Sequence, residues 1–397
     1  NTIPASSSPA RSYPLRFEAA LQGNWTPQSR HSLAIIVGYL RLKGTENAIV
    51  EIRALSNQPL CLMQSRTFGA DPMGQVLEMK NLLLAHARYC MAGNNDFDTA
   101  LSDLQAVLDL SDGIADGQTA IALRIADAMR RGVSREAVCW AREFQLAPSQ
   151  INRLQGLLLR HRPDPVEPIR IALRGDQLIA RYELDRMYTS DAAGDGWYVP
   201  GYGQLGDGHS RPSLRFCSLL SFPFADRRRA ESTLAEYWSD MIRDAGRTSP
   251  DTVCARLCLN CGAAFWHPVL PCITRQRSRL ASELRSSHLS SLVEIDGAII
   301  SLGLEQYRNH VGYYPDSLEA LVPRYAPDLP DDPFGKGPLK YRVDDNEGFV
   351  LYSVYKNGRD DYGAESGGHD QIDLRLSWER PEAVSLEWVL VARSKGP

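Results

Sequence analysis

Three groups of residues in this chain have types and spacings suited to chemistry. Cys254-x3-Cys258-x2-Cys261 has the spacing at which three thiolates can hold a [4Fe–4S] cluster and leave one iron open. Cys258, Cys261, His267 and Cys272 offer a sulfur and nitrogen set for zinc, although the second pair lies close behind the first, in an apolar stretch. In an oxidising compartment Cys254, Cys258, Cys261 and Cys272 could instead form disulfides, or they could stay free and buried. The third group is Asp360, Asp361 and Asp370, on a segment that also holds Gly358, Gly363, Gly367 and Gly368. These are hard oxygen donors on a backbone flexible enough to wrap calcium with carboxylates and carbonyls, though the spacing is not that of an EF-hand.

Other catalytic signatures are missing. The chain has no His-Glu-x-x-His, no Gly-x-Ser-x-Gly elbow and no P-loop. Gly201-x-Gly203-x-x-Gly206 matches the dinucleotide fingerprint in letters only. Pro200 precedes it, Pro212 follows it and no helical run opens at Gly206, so it reads as a surface loop. No barrel of alternating strands and helices surrounds the cysteine cluster. The expectation is a protein without enzymatic activity.

Bulk properties narrow the partners. The net charge of -4 over 397 residues exerts no long-range pull on nucleic acid or anionic lipid. No run approaches 18 apolar residues, so nothing spans a bilayer. Asn1 to Ala10 are rich in Ser, Pro and Ala and read as a linker. Any membrane attachment would come through an N-terminal signal or anchor removed from in front of it.

The elements that must carry these groups are mostly helical. From about Arg30 to Leu184 the periodicity is helical. Val76, Met79, Leu83 and Cys90 share a face, as do Phe97, Leu101, Leu104 and Leu108, then Ile121, Ile125 and Met129. Asn94, Asn95 and Asp96 supply a turn and an N-cap, and Gly132 and Pro148 read as punctuation between later helices. Cys90 and Cys139 fall at helix-periodic positions and read as buried small hydrophobes. A further helix begins at Arg227, Arg228 and Arg229 and continues through Leu234, Tyr237, Trp238 and Met241. Another runs from about Ala263 to His310, with Leu292, Ile295, Ile299 and Leu302 as its core-facing stripe.

Gly312 and Pro315 stop that helix. Asp332-Pro333 forces an extended step into a turn that Gly335 completes. Tyr341, Val343, Phe349, Leu351 and Ser353 alternate as strands of a small antiparallel sheet, able to pack on the helix stripe.

Resemblances follow from these residues. Residues 85–110, with Gly93, Phe97, Ala100 and Leu108, are similar to one helix-turn-helix of a tetratricopeptide repeat, without a second copy. The C-terminal fifth resembles the globular head of the type II secretion major pseudopilin. The matching residues are Leu304, Glu305 and Tyr307 with Gly312, Tyr314 and Pro315; Leu318, Leu321 and Val322; and Pro330, Asp332, Pro333, Phe334 and Gly335. Tyr352, Ser353, Asn357, Gly358, Asp360 and Asp361, then Asp370 and Ile372, complete the set. The resemblance implies calcium in the acidic loop. The chain departs from the family at Tyr355-Lys356 and at the insertion Tyr362 to Gly368.

A pilin polymerises through an apolar N-terminal helix. Here nearly 290 residues precede the module, and its helix carries Glu294, Asp296 and Glu305 among the apolar positions, so the head reads as a terminal domain put to another use. The whole chain is also similar to a group of uncharacterised bacterial exported proteins of this layout.

The reading that results is an α+β chain with a mainly helical N-terminal region. A linker (1–28) is followed by a helical domain (29–189), a Gly-rich loop (190–213), a helical region (214–290), the pseudopilin-like domain with its antiparallel sheet (291–380) and a C-terminal strand or tail (381–397). The expected role is an exported structural or protein-interaction protein of the periplasm, envelope or exterior, with a protein partner and no nucleic acid. The alternatives are an Fe–S or zinc enzyme built on Cys254, Cys258 and Cys261, or a tetratricopeptide-like peptide adaptor.

Overall fold

The computed structural model describes residues 45–56, 72–185, 227–245, 269–344, 348–355, 360 and 374–376, and for residues 269–282 the backbone alone. Of the described residues, 73% are helical, so the α+β class holds with helix dominant. The helices are α1 (Thr45–Ser56), α2 (Pro72–Tyr89), α3 (Phe97–Ala115), α4 (Ala120–Glu143), α5 (Pro148–Arg160), α6 (Glu167–Asp185), α7 (Arg227–Asp244) and α8 (Val269–Val311). A 3-10 turn (Leu318–Leu321) leads to β1 (Lys340–Asp344), β2 (Gly348–Ser353) and the two-residue β3 (Leu374–Arg375).

Local chemistry sets several element ends where the sequence placed them. A π-turn at Cys90–Asn94 ends α2, and Asn95 takes the left-handed conformation with φ 51°. The Asp96 carboxylate then accepts from Thr99 N at 3.1 Å and caps α3. Pro148 opens α5 at its first position, where a missing N–H costs nothing. Gly132 breaks nothing. It lies inside α4, where an added Cβ would sit 3.2 Å from Leu84 Cδ1, so it marks a close helix–helix approach.

The chain forms two compact units. One holds residues 117–124 and 164–288. Its core joins Ile169, Leu173 and Leu184 of α6 to Leu234, Tyr237 and Trp238 of α7. Ahead of α6 the Asp164 carboxylate accepts from Val166 N and Glu167 N. Arg227, the first of the three arginines, pairs with Asp185 and Glu231 at the surface.

The other unit holds residues 1–116, 125–163 and 289–397, and its centre is the second half of α8. Every residue from Ser290 to Ser301 that carries a described side chain is buried, so this stretch is enclosed on all sides. The sheet does not rest on the Leu292, Ile295, Ile299 and Leu302 stripe. Val293, Ile300 and Leu304 meet Tyr314, Leu321, Leu339, Phe349, Leu351 and Leu376 instead. At about 100° per residue that face points away from the stripe. Two glycines of α8 admit the covering chain. A Cβ on Gly297 would lie 2.6 Å from Leu376 Cδ1, and one on Gly303 would lie 2.6 Å from the Tyr325 carbonyl oxygen. Gln155 of α5 bridges the same place, donating from Nε2 to Ile299 O at 3.0 Å and Tyr325 O at 2.8 Å.

The acidic residues of α8 are buried and paired. Arg162 grips Asp296 through two bonds of 2.6 and 2.9 Å. Arg135 grips Glu294 through bonds of 2.9 and 3.2 Å. Arg142 of α4 donates to Glu305 at 2.9 Å, and the Tyr314 hydroxyl donates to the same oxygen at 2.9 Å. The Arg142 guanidinium also lies 5.0 Å over the Phe349 ring of β2. Burial lifts the Asp296 carboxyl above its ordinary range even against Arg162, which measures how costly this charge is to enclose.

The hairpin and its approach match the turn signals. Gly312 has φ +98° and its N–H closes on Arg308 O at 2.7 Å. The Asp332 carboxylate is buried and accepts from Phe334 N, Ser353 Oγ and Val354 N, tying the turn to the end of β2. In the hairpin Tyr341 faces Leu351 and Val343 faces Phe349. β2 is buried on both faces, because Val350 and Tyr352 are buried as well, and Val343 of β1 is exposed, so strict alternation describes neither strand.

Two outcomes are expected. Gly303→Ala should lower stability by about 1–3 kcal/mol in chemical denaturation, because the atom opposing the new Cβ is backbone and cannot rotate away. Arg162→Met should cost about 3 kcal/mol by leaving Asp296 buried without its partner, and Arg162→Met/Asp296→Leu should recover most of that loss.

Candidate functional site

The residues singled out for chemistry in the sequence fall largely outside the described part of the chain. Cys254, Cys258, Cys261, His267, Asp361 and Asp370 lie outside it, as do the residues of the 201–206 glycine motif. Cys272 lies in the backbone of α8, its side chain outside the described residues. Asp360 is described. It is exposed, and the Tyr352 hydroxyl of β2 donates to its Oδ1 at 2.8 Å. Asp360 is therefore tied to β2.

Cys90 and Cys139 are free and buried, as their helical positions suggested, but their surroundings differ. Cys139 lies within the core near Arg88, Glu136 and Glu143, and burial pushes its thiol up to about 12. Such a thiol is inert. Around it Arg88 donates to Glu136 at 2.6 Å and Trp140 Nε1 donates to the same oxygen at 2.8 Å. Burial holds the Glu143 carboxyl above its usual range, with Glu136 adding to the effect and Arg88 opposing it.

Cys90 belongs to a polar cluster between α1, α2 and α3. His86 and Cys90 are four residues apart and so share a helix face. Asp103 reaches them from α3, and Arg53 from α1. The His86 Nδ1 nitrogen donates to Asp103 Oδ2 at 2.6 Å. Arg53 closes on the other oxygen, Nε at 2.8 Å and Nη2 at 2.6 Å from Oδ1, and its Nη2 also reaches Thr99 O at 3.4 Å. The Asp103 side chain is 0% exposed and that of His86 18%, so solvent approaches from the histidine side. The Cys90 Sγ lies 3.8 Å from Nδ1 and 3.7 Å from Nε2 of His86.

Those distances decide what the cluster can do. A sulfur in line with the lone pair of one ring nitrogen would be much farther from the other. Nearly equal distances place Sγ off both lone-pair directions, so this is not a Cys–His nucleophile pair. The ring is also poor as a base. Burial alone would lower its pKa, but the bond to Asp103 and the contact with Cys90 outweigh burial and raise it to about 9. One imidazole nitrogen, one sulfur and one carboxylate oxygen nevertheless lie within 4.8 Å of one another. This is a donor set that a transition metal uses.

From the sequence Cys90 reads only as a buried small hydrophobe, and neither His86 nor Asp103 stands out. His86-x3-Cys90 is a one-face pair, and Asp103 stands among the mainly apolar buried residues of α3. Nothing in either spacing said that α3 would bring Asp103 to that pair.

No family model, curated protein or solved structure matches the chain. Among the described residues no helix is long and apolar enough to cross a membrane.

His86 has a folded pKa above its unfolded value near 6.5. Its contribution to stability is therefore complete below about pH 6.5 and is lost as pH rises through about 9. Measured in chelator, the unfolding free energy of the wild type should exceed that of His86→Gln at pH 6, and the gap should shrink by about 1–2 kcal/mol by pH 10, allowing for partial solvent screening.

Proposed function

We propose that this chain is a non-enzymatic, exported protein of the bacterial cell envelope. Its helical region serves as a scaffold for a protein partner, and its C-terminal part is a pseudopilin-like head put to use as a terminal domain. The observation that carries this reading is the order of devices after α8. A left-handed glycine at Gly312 leads to a 3-10 turn at Leu318–Leu321, then to a turn closed by buried Asp332, then to an antiparallel hairpin. That is the order in which the family's motifs occur.

The helix that a pilin would use for polymerisation is buried on every face between Ser290 and Ser301. Glu294, Asp296 and Glu305 are engaged by Arg135, Arg162 and Arg142, and the surrounding residues are buried within the same compact unit. Assembly through this helix would have to break three buried ion pairs. The role is accordingly that of a folded interaction module rather than a fibre subunit. The tetratricopeptide-like hairpin is consistent with scaffolding more than with a peptide groove. Phe97, Ala100 and Leu108 are buried, and the Phe97 ring packs edge-on against Trp140 at 6.4 Å.

Calcium bound by Asp360, Asp361 and Asp370 belongs to the same proposal. The Tyr352–Asp360 bond supports it, because it fixes one carboxylate against the sheet. A thermal melt in millimolar calcium, compared with chelator, tests the head. The midpoint should rise with calcium in the wild type, as it must when a ligand binds only the folded state, and should not move in Asp361→Ala/Asp370→Ala. Identical melts of the wild type in calcium and chelator would remove the ion from the proposal.

A further inference from the structure

We infer that His86, Cys90 and Asp103 form a binding site for a divalent transition metal of the zinc class, independent of the acidic loop and of the head. The three donors are of three different kinds, come from two helices and converge within 4.8 Å. A tetrahedral ion about 2.0–2.3 Å from each donor sets donor–donor separations of roughly 3.3–3.8 Å. The sulfur stands 3.8 Å from Nδ1, the ring nitrogen that faces Asp103. For an ion to enter, the 2.6 Å contact between His86 Nδ1 and Asp103 Oδ2 must open by less than one ångström, and the Cys90 sulfur must swing toward the Nδ1 lone pair.

The surroundings are those of a metal site. Arg53 binds Oδ1 of Asp103 through both Nε and Nη2. It thereby fixes the carboxylate from behind and leaves Oδ2 directed at the histidine, which is the arrangement outer partners impose on a ligating carboxylate. His86 and Cys90 are held one helical turn apart at the start of the π-turn Cys90–Asn94, and such turns recur at functional positions.

Entry of the metal is an ion exchange. The imidazolium and the thiol each release one proton to water, the dication takes their place and the net charge of the cluster is unchanged. The sulfur ligand excludes calcium and magnesium and selects zinc, cobalt or a similar ion. Three protein ligands leave a fourth position, reached by solvent past His86, for water or an incoming donor group.

Cobalt(II) is the probe, because thiolate ligation to cobalt produces an absorption band that oxygen and nitrogen ligands do not. The full-length chain is titrated alongside Cys90→Ser, His86→Gln and a variant with Cys254, Cys258, Cys261 and Cys272 all changed to serine, with circular dichroism recorded for each. The expected result is a thiolate band saturating at one cobalt per chain, kept in the fourfold variant, displaced by zinc, and lost in both Cys90→Ser and His86→Gln with helicity intact. His86→Gln retains every cysteine, so it reports on the site even if a serine variant fails to fold. Absence of a band in the wild type, or a band undiminished in folded Cys90→Ser or His86→Gln, overturns the assignment.

Discussion

The enclosure of three carboxylates on α8 is the constraint on which the larger unit depends. Moving a carboxylate out of water costs several kcal/mol even after relaxation, and only a well-placed cation offsets it. Glu294, Asp296 and Glu305 therefore require Arg135, Arg162 and Arg142 at bonding distance, and this fixes α4 and the end of α5 relative to α8. Because Arg142 also covers Phe349 of β2, the same requirement reaches the sheet. The C-terminal hairpin is built into the helical unit through charges as much as through apolar contact.

Close packing then does what the ion pairs cannot. Ion pairs set which helices meet; the depth of approach is set by small residues. Gly297 receives Leu376 and Gly303 receives the Tyr325 carbonyl, while Gln155 donates to that carbonyl. The buried Asp332 serves the turn in the same way, since its acceptors take up two backbone N–H groups and a hydroxyl that would otherwise be enclosed without partners.

The two described cysteines show how surroundings separate chemistry from packing. Both are buried on helices. Cys139 sits in the core, where the thiolate form is penalised by burial. Cys90 sits beside an imidazole and a carboxylate that share a proton at 2.6 Å. The same residue type is a packing unit in one place and part of a polar cluster in the other, and His86 of α2, Asp103 of α3 and Arg53 of α1 make the difference.

What the sequence determined by itself was local. The N-cap at Asp96, the helix stop at Gly312, the turn at Asp332-Pro333 and the first-position Pro148 were legible because each rests on one residue's own backbone geometry or on a bond spanning a few positions. The tertiary structure decided everything that needed two distant segments. It put the sheet on Val293, Ile300 and Leu304 rather than on the stripe of Leu292, Ile295, Ile299 and Leu302, since a helix buried all round has no single core face. It turned Gly132 from a break into a packing notch, because the preference of glycine for turns yields where another helix needs the space. It also joined Glu294, Asp296 and Glu305 to arginines more than 130 residues away, and brought Asp103 to His86 and Cys90. Periodicity shows which way a side chain faces along its own helix, and it carries no information about which partner stands opposite.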